Sequence, residues 1–156
     1  MMRVETVRFG ELDIPEEATL DFPAGILGFP RMRRCCLVPY GSTRGLRWLQ
    51  SLDDPKLVFL TVEPYLVFPD YEAEVPDHEA AALGLTRPEE AAVLTVVTIS
   101  PETEAVTTNL LAPIVINTRT RRGRQVIVEG DRYLTKHLIG GGIKDGFSAG
   151  IDAESW

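Results

Sequence analysis

Val93-Leu94-Thr95-Val96-Val97-Thr98-Ile99 decides the fold. All but Leu94 are β-branched, and such side chains crowd a helix but pack well on a pleated sheet. The run does not alternate apolar with polar. It is buried on both faces, which places it inside a sandwich or closed barrel rather than at an edge. Leu57-Val58-Phe59-Leu60-Thr61-Val62 has the same character. Two such strands in one short chain predict an all-β domain, mainly antiparallel and barrel-like, with one or two short helices.

Working outward, short strands recur between turn signals. Val4 and Thr6 face one way and Glu5 and Val7 the other, before a turn near Gly10. Strands are predicted over Ala18 to Phe22, Arg34 to Tyr40 and Leu46 to Ser51, with Pro23 to Pro30 as a break rich in Pro and Gly. Leu52-Asp53-Asp54-Pro55 is a tight reversal, because proline presets the dihedral that a turn needs and Asp supports the residue before it. The final hairpin joins Pro113–Thr118 to Gln125–Glu129 over an arginine-rich turn, Arg119 to Arg124. One helix is predicted from an Asp77 cap through Leu83, stopped by Gly84, and a single turn follows at Arg87 to Ala91. Residues 1–139 form the domain. Gly140-Gly141-Gly142 opens a glycine-rich C-terminal tail, 140–156, expected to be flexible.

Composition bounds the function. With 156 residues, 44% hydrophobic and 25% charged, the chain suits one soluble domain with a real core. No apolar run approaches the roughly 18 to 20 residues of a membrane helix, and the start lacks a secretory pattern, so a cytoplasmic protein without membrane contact is expected. The formal net charge is −7. Nucleic acid repels such a surface unless basic groups are segregated, so direct nucleic-acid binding is disfavoured and a basic protein partner is allowed. Cys35 and Cys36 are adjacent, cannot tie distant segments and read as two free thiols.

Catalytic patterns are absent. His78 and His137 lack a ligand partner at helical spacing and read as exposed, no phosphate-cradling glycine loop occurs, and the serines stand in no nucleophile motif. No metal, cofactor or catalytic residue is therefore assigned. The acidic run is more informative. In Pro69-Asp70-Tyr71-Glu72-Ala73-Glu74-Val75-Pro76 a strand would set Asp70, Glu72 and Glu74 on one face, roughly 7 Å apart, with Tyr71, Ala73 and Val75 inward. From Glu63 to Glu104 ten acidic side chains face one arginine, Arg87. Such a face either stays solvated and discourages edge pairing or steers a basic partner. Arg119, Arg121, Arg122 and Arg124 form the opposite pole, read as a solvated loop. Asn109 and Asn117 flank a buried strand, where an amide ties up turn backbone or meets a partner.

Several of these segments together resemble one family. Phe22-Pro23-Ala24-Gly25-Ile26-Leu27-Gly28-Phe29, Leu49-Gln50-Ser51-Leu52-Asp53-Asp54-Pro55, Phe68-Pro69-Asp70-Tyr71 and Asn109 to Thr118, followed by Arg122 to Ile127 and Tyr133 to His137, are similar in order and kind to the flagellar assembly factor FliW family. The resemblance runs from about Arg3 to Leu138. It implies a small β-barrel-like protein without catalytic activity or cofactor, monomeric when free. It implies two alternative partners, flagellin and the translational repressor CsrA, with capture of CsrA relieving repression of flagellin mRNA. Asp70, Tyr71, Glu72, Glu74, Asn109 and Asn117 are the candidate partner-binding residues. Flagellin's terminal segments, expected to be apolar on one face, suit a hydrophobic groove whose strands the sequence does not identify. Two other readings compete: a small-barrel enzyme such as a flavin reductase, and a carbohydrate-binding module in which Phe68 and Tyr71 stack on sugars.

Overall fold

The computed structural model describes residues 1–139. The predicted tail, 140–156, lies outside them. Eleven strands follow in order: β1 Met2–Thr6, β2 Gly10–Ile14, β3 Leu20–Asp21, β4 Arg34–Pro39, β5 Leu46–Ser51, β6 Val58–Val62, β7 Ala91–Ile99, β8 Val106–Thr108, β9 Ile114–Asn117, β10 Arg122–Gln125 and β11 His137–Leu138. A single α-helix, α1 Asp77–Ala82, and three 3-10 turns, Glu16–Ala18, Pro64–Leu66 and Pro88–Glu90, complete the secondary structure of the described residues.

The two runs that set the fold become β6 and β7. Neighbouring strands follow β7-β6-β5-β4-β3-β10-β9, and β9 pairs back onto β7, which closes a seven-stranded barrel. All pairings are antiparallel except the single Arg122–Asp21 contact of β10 with β3. Strand β7 serves three partners along its length: Ala91 to Leu94 pair with β9, Thr95 and Val96 with β6, and Val97 to Ile99 with β8. A separate β1–β2 hairpin stands beside the barrel, tied by the Val7 N–H donating to the Pro55 carbonyl.

Side-chain alternation sorts the core into three clusters. Leu20, Phe22, Cys35, Leu49, Leu94, Ile114 and Ile116 fill the barrel. On its outer face Leu46, Trp48, Leu60 and Val62 pack under Phe9 of the first hairpin, with Val106 and Ile139. Across the outer face of β9 and β10, Val115, Val126 and Val128 lie under Leu83, Ala73 and Val75. Covers on both sides bury Leu94, Thr95 and Val97 of β7, but the predicted burial of both faces stops short of the strand's end, where Thr98 and Ile99 are exposed. Its one buried hydroxyl in the middle, Thr95, lies 2.7 Å from the Thr108 hydroxyl.

The turns follow their residue chemistry. Ser51 Oγ accepts from the Asp53 and Asp54 amides, and buried Gln50 donates Nε2–H to the Ser51 and Leu57 carbonyls, so the predicted reversal at Leu52 to Pro55 is closed by its own side chains. At Gly25, φ is +71° and an added Cβ would lie 2.7 Å from the Pro30 backbone, so only glycine fits.

Several boundaries differ from the sequence reading. Ala18 to Phe22 shortens to Leu20–Asp21, because Pro15 leads into the 3-10 turn that uses Glu16 to Ala18. The last hairpin pairs Ile114–Asn117 with Arg122–Gln125, earlier than predicted. Arg121, at φ +64°, completes a tight turn without glycine, so the return strand starts inside the arginine run. Asp77 is the first helical residue, not the cap. Pro76 precedes it, and Gly84 at φ +68° ends the helix as expected.

Gly123 in β10 faces the fully buried Phe22 ring, and an added Cβ would overlap that ring. Gly123→Ala is expected to cost about 1–3 kcal/mol of folding stability through overpacking. Urea denaturation of the two proteins checks this.

Candidate functional site

The acidic segment crosses the outer face of β9 and β10. Tyr71 anchors it: the ring is buried, its hydroxyl donates to the Leu110 carbonyl at 2.7 Å, and it packs against Tyr65 at 5.7 Å and Tyr133 at 4.7 Å between centroids. Burial, with Tyr65 and Tyr133 adding to it, pushes this phenol well above its ordinary range. Ala73 and Val75 point inward against the third core cluster, while Asp70, Glu72 and Glu74 are exposed. The predicted two faces are therefore present, but the predicted strand is not. Residues 71–76 join no ladder; the Glu72 N–H donates to the Tyr133 hydroxyl at 3.0 Å, and Glu74 O accepts from the Glu129 N–H at 3.3 Å. Pro69 and Pro76 bracket the segment and supply no donors, so a side-chain hydroxyl stands where a strand would meet a carbonyl.

The strip is larger than its sequence. The Glu74–Glu129 contact brings in a second acidic segment, with Glu129 and Asp131 exposed. Neither was identifiable from sequence, because some 55 residues separate them from Glu74 and only the inward Val126 and Val128 hint at which side faces water. Asp70, Glu74, Glu129 and Asp131 make no ion pair among the described residues. Glu72 does: Arg132 lies 3.8 Å away, with both side chains mostly exposed. That pair adds little stability in water but neutralises the middle of the strip.

Beside it a cavity of about 300 Å³ opens between Phe68, Asp70, Tyr71, Tyr133 and His137. His137 is half-buried, not exposed as expected. Its Nε2 accepts from the Leu134 N–H at 2.7 Å and its ring meets Phe68 and Tyr133 edge-on. His78 is exposed. Tyr71 is too deeply buried to be the sugar-stacking face considered above.

The two asparagines hold turns. Asn109 Oδ1 accepts from the Ala112 N–H. Asn117 is fully buried; its Nδ2–H donates to the Leu83 carbonyl at the end of α1, and Oδ1 accepts from the Arg119 and Thr120 amides. With every polar atom of its side chain engaged inside, Asn117 offers a partner no direct contact. The basic turn is also tied in. Arg119 pairs with Glu90 at 3.2 Å and Arg124 pairs with Glu79, whereas Arg121 donates to the Ala18 carbonyl, so Arg121 and Arg122 carry no ion pair among the described residues. The Thr86 amide and hydroxyl, then Arg119 and the Arg87 amide, bind the Glu90 carboxylate and hold its pKa down to about 2.

Cys35 and Cys36 are free and buried, and burial pushes both thiols upward. No group of three His, Cys, Asp or Glu side chains among the described residues is arranged to hold a metal, and no described helix is long and apolar enough to cross a membrane.

The fold and this surface define a small closed β-barrel protein whose exposed chemistry is a carboxylate strip backed by aromatic rings. The FliW protein family model matches residues 3–139, and the chain belongs to that family. It is 40% identical over 138 residues to the flagellar assembly factor FliW of Heliobacterium modesticaldum, covering 88% of this chain and 90% of the relative. It is 38% identical over 148 residues to that of Moorella thermoacetica, covering 94% and 92%. A crystal structure of the flagellar assembly factor FliW superposes with a TM-score of 0.81 at 32% identity, covering 90% of this chain and 98% of the other.

Asn117→Ala removes a partner from a buried carbonyl and two turn amides, and should lower stability by about 1–3 kcal/mol in denaturant titration. A carboxyl held below its ordinary value stabilises the fold above that value and loses this contribution as pH falls through its folded-state pKa. Glu90→Gln should therefore be less stable than the parent at pH 7. The gap should close between about pH 4.5 and 2, as read by thermal unfolding across pH.

Proposed function

We propose that this FliW-family chain is a non-catalytic, cytoplasmic binding protein that takes flagellin and CsrA as alternative partners, CsrA capture relieving repression of flagellin mRNA translation. The family membership supports a role in flagellar assembly. The observation that carries the finer reading is the strip itself, with Asp70 and Glu74 exposed and without an ion pair among the described residues and Glu129 beside them. A repressor that binds RNA must present cations to phosphate, and a rigid line of carboxylates is complementary to such a surface. The barrel is suited to occupancy rather than turnover. Its interior is filled by Leu20, Phe22, Leu49, Leu94 and Ile114, so a flavin would be left only the mouth.

Glu72 is the weakest member of the strip, being already opposed by Arg132. Reversal of Asp70 and Glu74 to lysine is expected to weaken CsrA binding by about tenfold or more and to flatten its salt dependence, whereas Glu72→Lys alone should do less. Calorimetric titration with purified CsrA, at two salt concentrations, reads both effects. Unchanged affinity in the double reversal removes the strip from the CsrA site. Failure of the parent protein to bind either CsrA or flagellin removes the partner assignment altogether.

A further inference from the structure

The cavity of about 300 Å³ beside the strip is walled by four rings, Phe68, Tyr71, Tyr133 and His137. Neighbouring rings meet steeply: Tyr71 and Tyr133 at 65°, Tyr133 and His137 at 64°, Phe68 and His137 at 74°. Walls set at such angles make a cup rather than a slot, so an occupant touches more than one ring. Aromatic faces carry negative charge density and attract cations. One cation already uses this property: the Arg132 guanidinium lies 5.3 Å from the centre of the Tyr133 ring.

Charge at the rim has the same preference. Asp70 and Arg132 carry the formal charges of the lining. Glu72 lies 3.8 Å from Arg132 and offsets it, whereas Asp70 is exposed and makes no ion pair among the described residues. A cation that enters the cup therefore meets a carboxylate that no other group opposes.

The polar atoms of the rings narrow the choice of cation. The Tyr71 hydroxyl donates to the Leu110 carbonyl, the Tyr133 hydroxyl accepts from the Glu72 N–H, and His137 Nε2 accepts from the Leu134 N–H. A primary ammonium brings three donors and would find only Asp70 uncommitted to receive them. A guanidinium is planar and stacks on one ring, as Arg132 does, leaving the other walls unused. A fully methylated nitrogen has no donor to satisfy, and its rounded, apolar shell of methyl groups touches every wall.

We propose that this cavity is a binding site for a quaternary ammonium group, with Phe68, Tyr71, Tyr133 and His137 as its walls and Asp70 as the counter-ion. The ligand is one trimethylammonium head on a short chain, either a free solute or the side chain of a trimethylated lysine. The inference goes beyond the partner assignment and does not rest on it, since a single cationic head is enough to fill the cup.

The test is an NMR titration of the isotope-labelled full chain with choline. Two analogues separate the causes: the neutral isostere in which carbon replaces the nitrogen, and ethanolamine, which keeps the charge and loses the methyl groups. A peptide carrying one trimethyllysine and its unmethylated twin form a second arm. Saturable shifts at the Phe68, Tyr133 and His137 amides are expected with choline, at least about tenfold tighter than with either analogue. Phe68→Leu keeps an apolar wall without a ring and should weaken choline binding about three- to tenfold, and Asp70→Asn should do the same. Arg132→Gln removes the cation already on Tyr133 and should strengthen it. The dispersion of each variant's spectrum reports that it is folded. Tighter binding of choline than of the trimethyllysine peptide gives the site to a free solute, and the reverse gives it to a modified protein. No saturable shift with either trimethylammonium ligand, equal affinity for choline and its neutral isostere, or indifference to both Phe68→Leu and Asp70→Asn overturns the proposal.

Discussion

Closure of the barrel depends on one strand dividing its hydrogen bonds. β7 gives its first four residues to β9, the next two to β6 and the last three to β8. A flat strand with two fixed neighbours could not do this. The β-branched content of β7 lets it remain extended along all nine residues, with Leu94, Thr95 and Val97 buried where it passes from one partner to the next. The seam also sets the surroundings. Ala91 lies opposite Asn117, and Asn117 in turn holds the end of α1 and the basic turn, while the Thr118 amide donates to the Glu90 carbonyl. The helix, the 3-10 turn before β7 and the tip of the last hairpin are thus positioned from one point.

The outer covers are held by different means. Between β6 and α1 the chain has little ladder to join, and side chains do the tethering: Tyr71 to the Leu110 carbonyl, Tyr133 to the Glu72 amide, and Tyr65 against Tyr71. The acidic strip is therefore a rigid surface without being a strand. Tyr65, which packs against Tyr71 on one side, lines the cavity of about 420 Å³ between α1 and the start of β7 on the other.

What the sequence revealed was mostly what local chemistry determines. β6 and β7 were readable because both faces are apolar, the Leu52–Pro55 reversal because its own Ser51 and Asp residues close it, and the strip's two faces because Tyr71, Ala73 and Val75 alternate with carboxylates. β2, β8 and β11 were missed because Gly10–Ile14, Val106–Thr108 and His137–Leu138 are too short or too polar to show a period before their partners are known. The strip reads as a strand because period-two alternation reports which side is buried, not whether a ladder exists. Glu129 and Asp131 were invisible for a different reason: they lie far along the chain from Glu74, and only the folded barrel brings the two acidic segments together. His137 reads as exposed because its polar neighbours in sequence are not its neighbours in space, which are Phe68 and Tyr133.

The paired thiols carry a practical consequence. Cys35 and Cys36 sit in the middle of β4, both enclosed, and burial keeps each in its protonated, unreactive form. Peroxide and maleimide reagents alike act on exposed thiolate, so this barrel is silent to both while folded. A single cysteine placed on its surface would report its own site without the native pair first being removed.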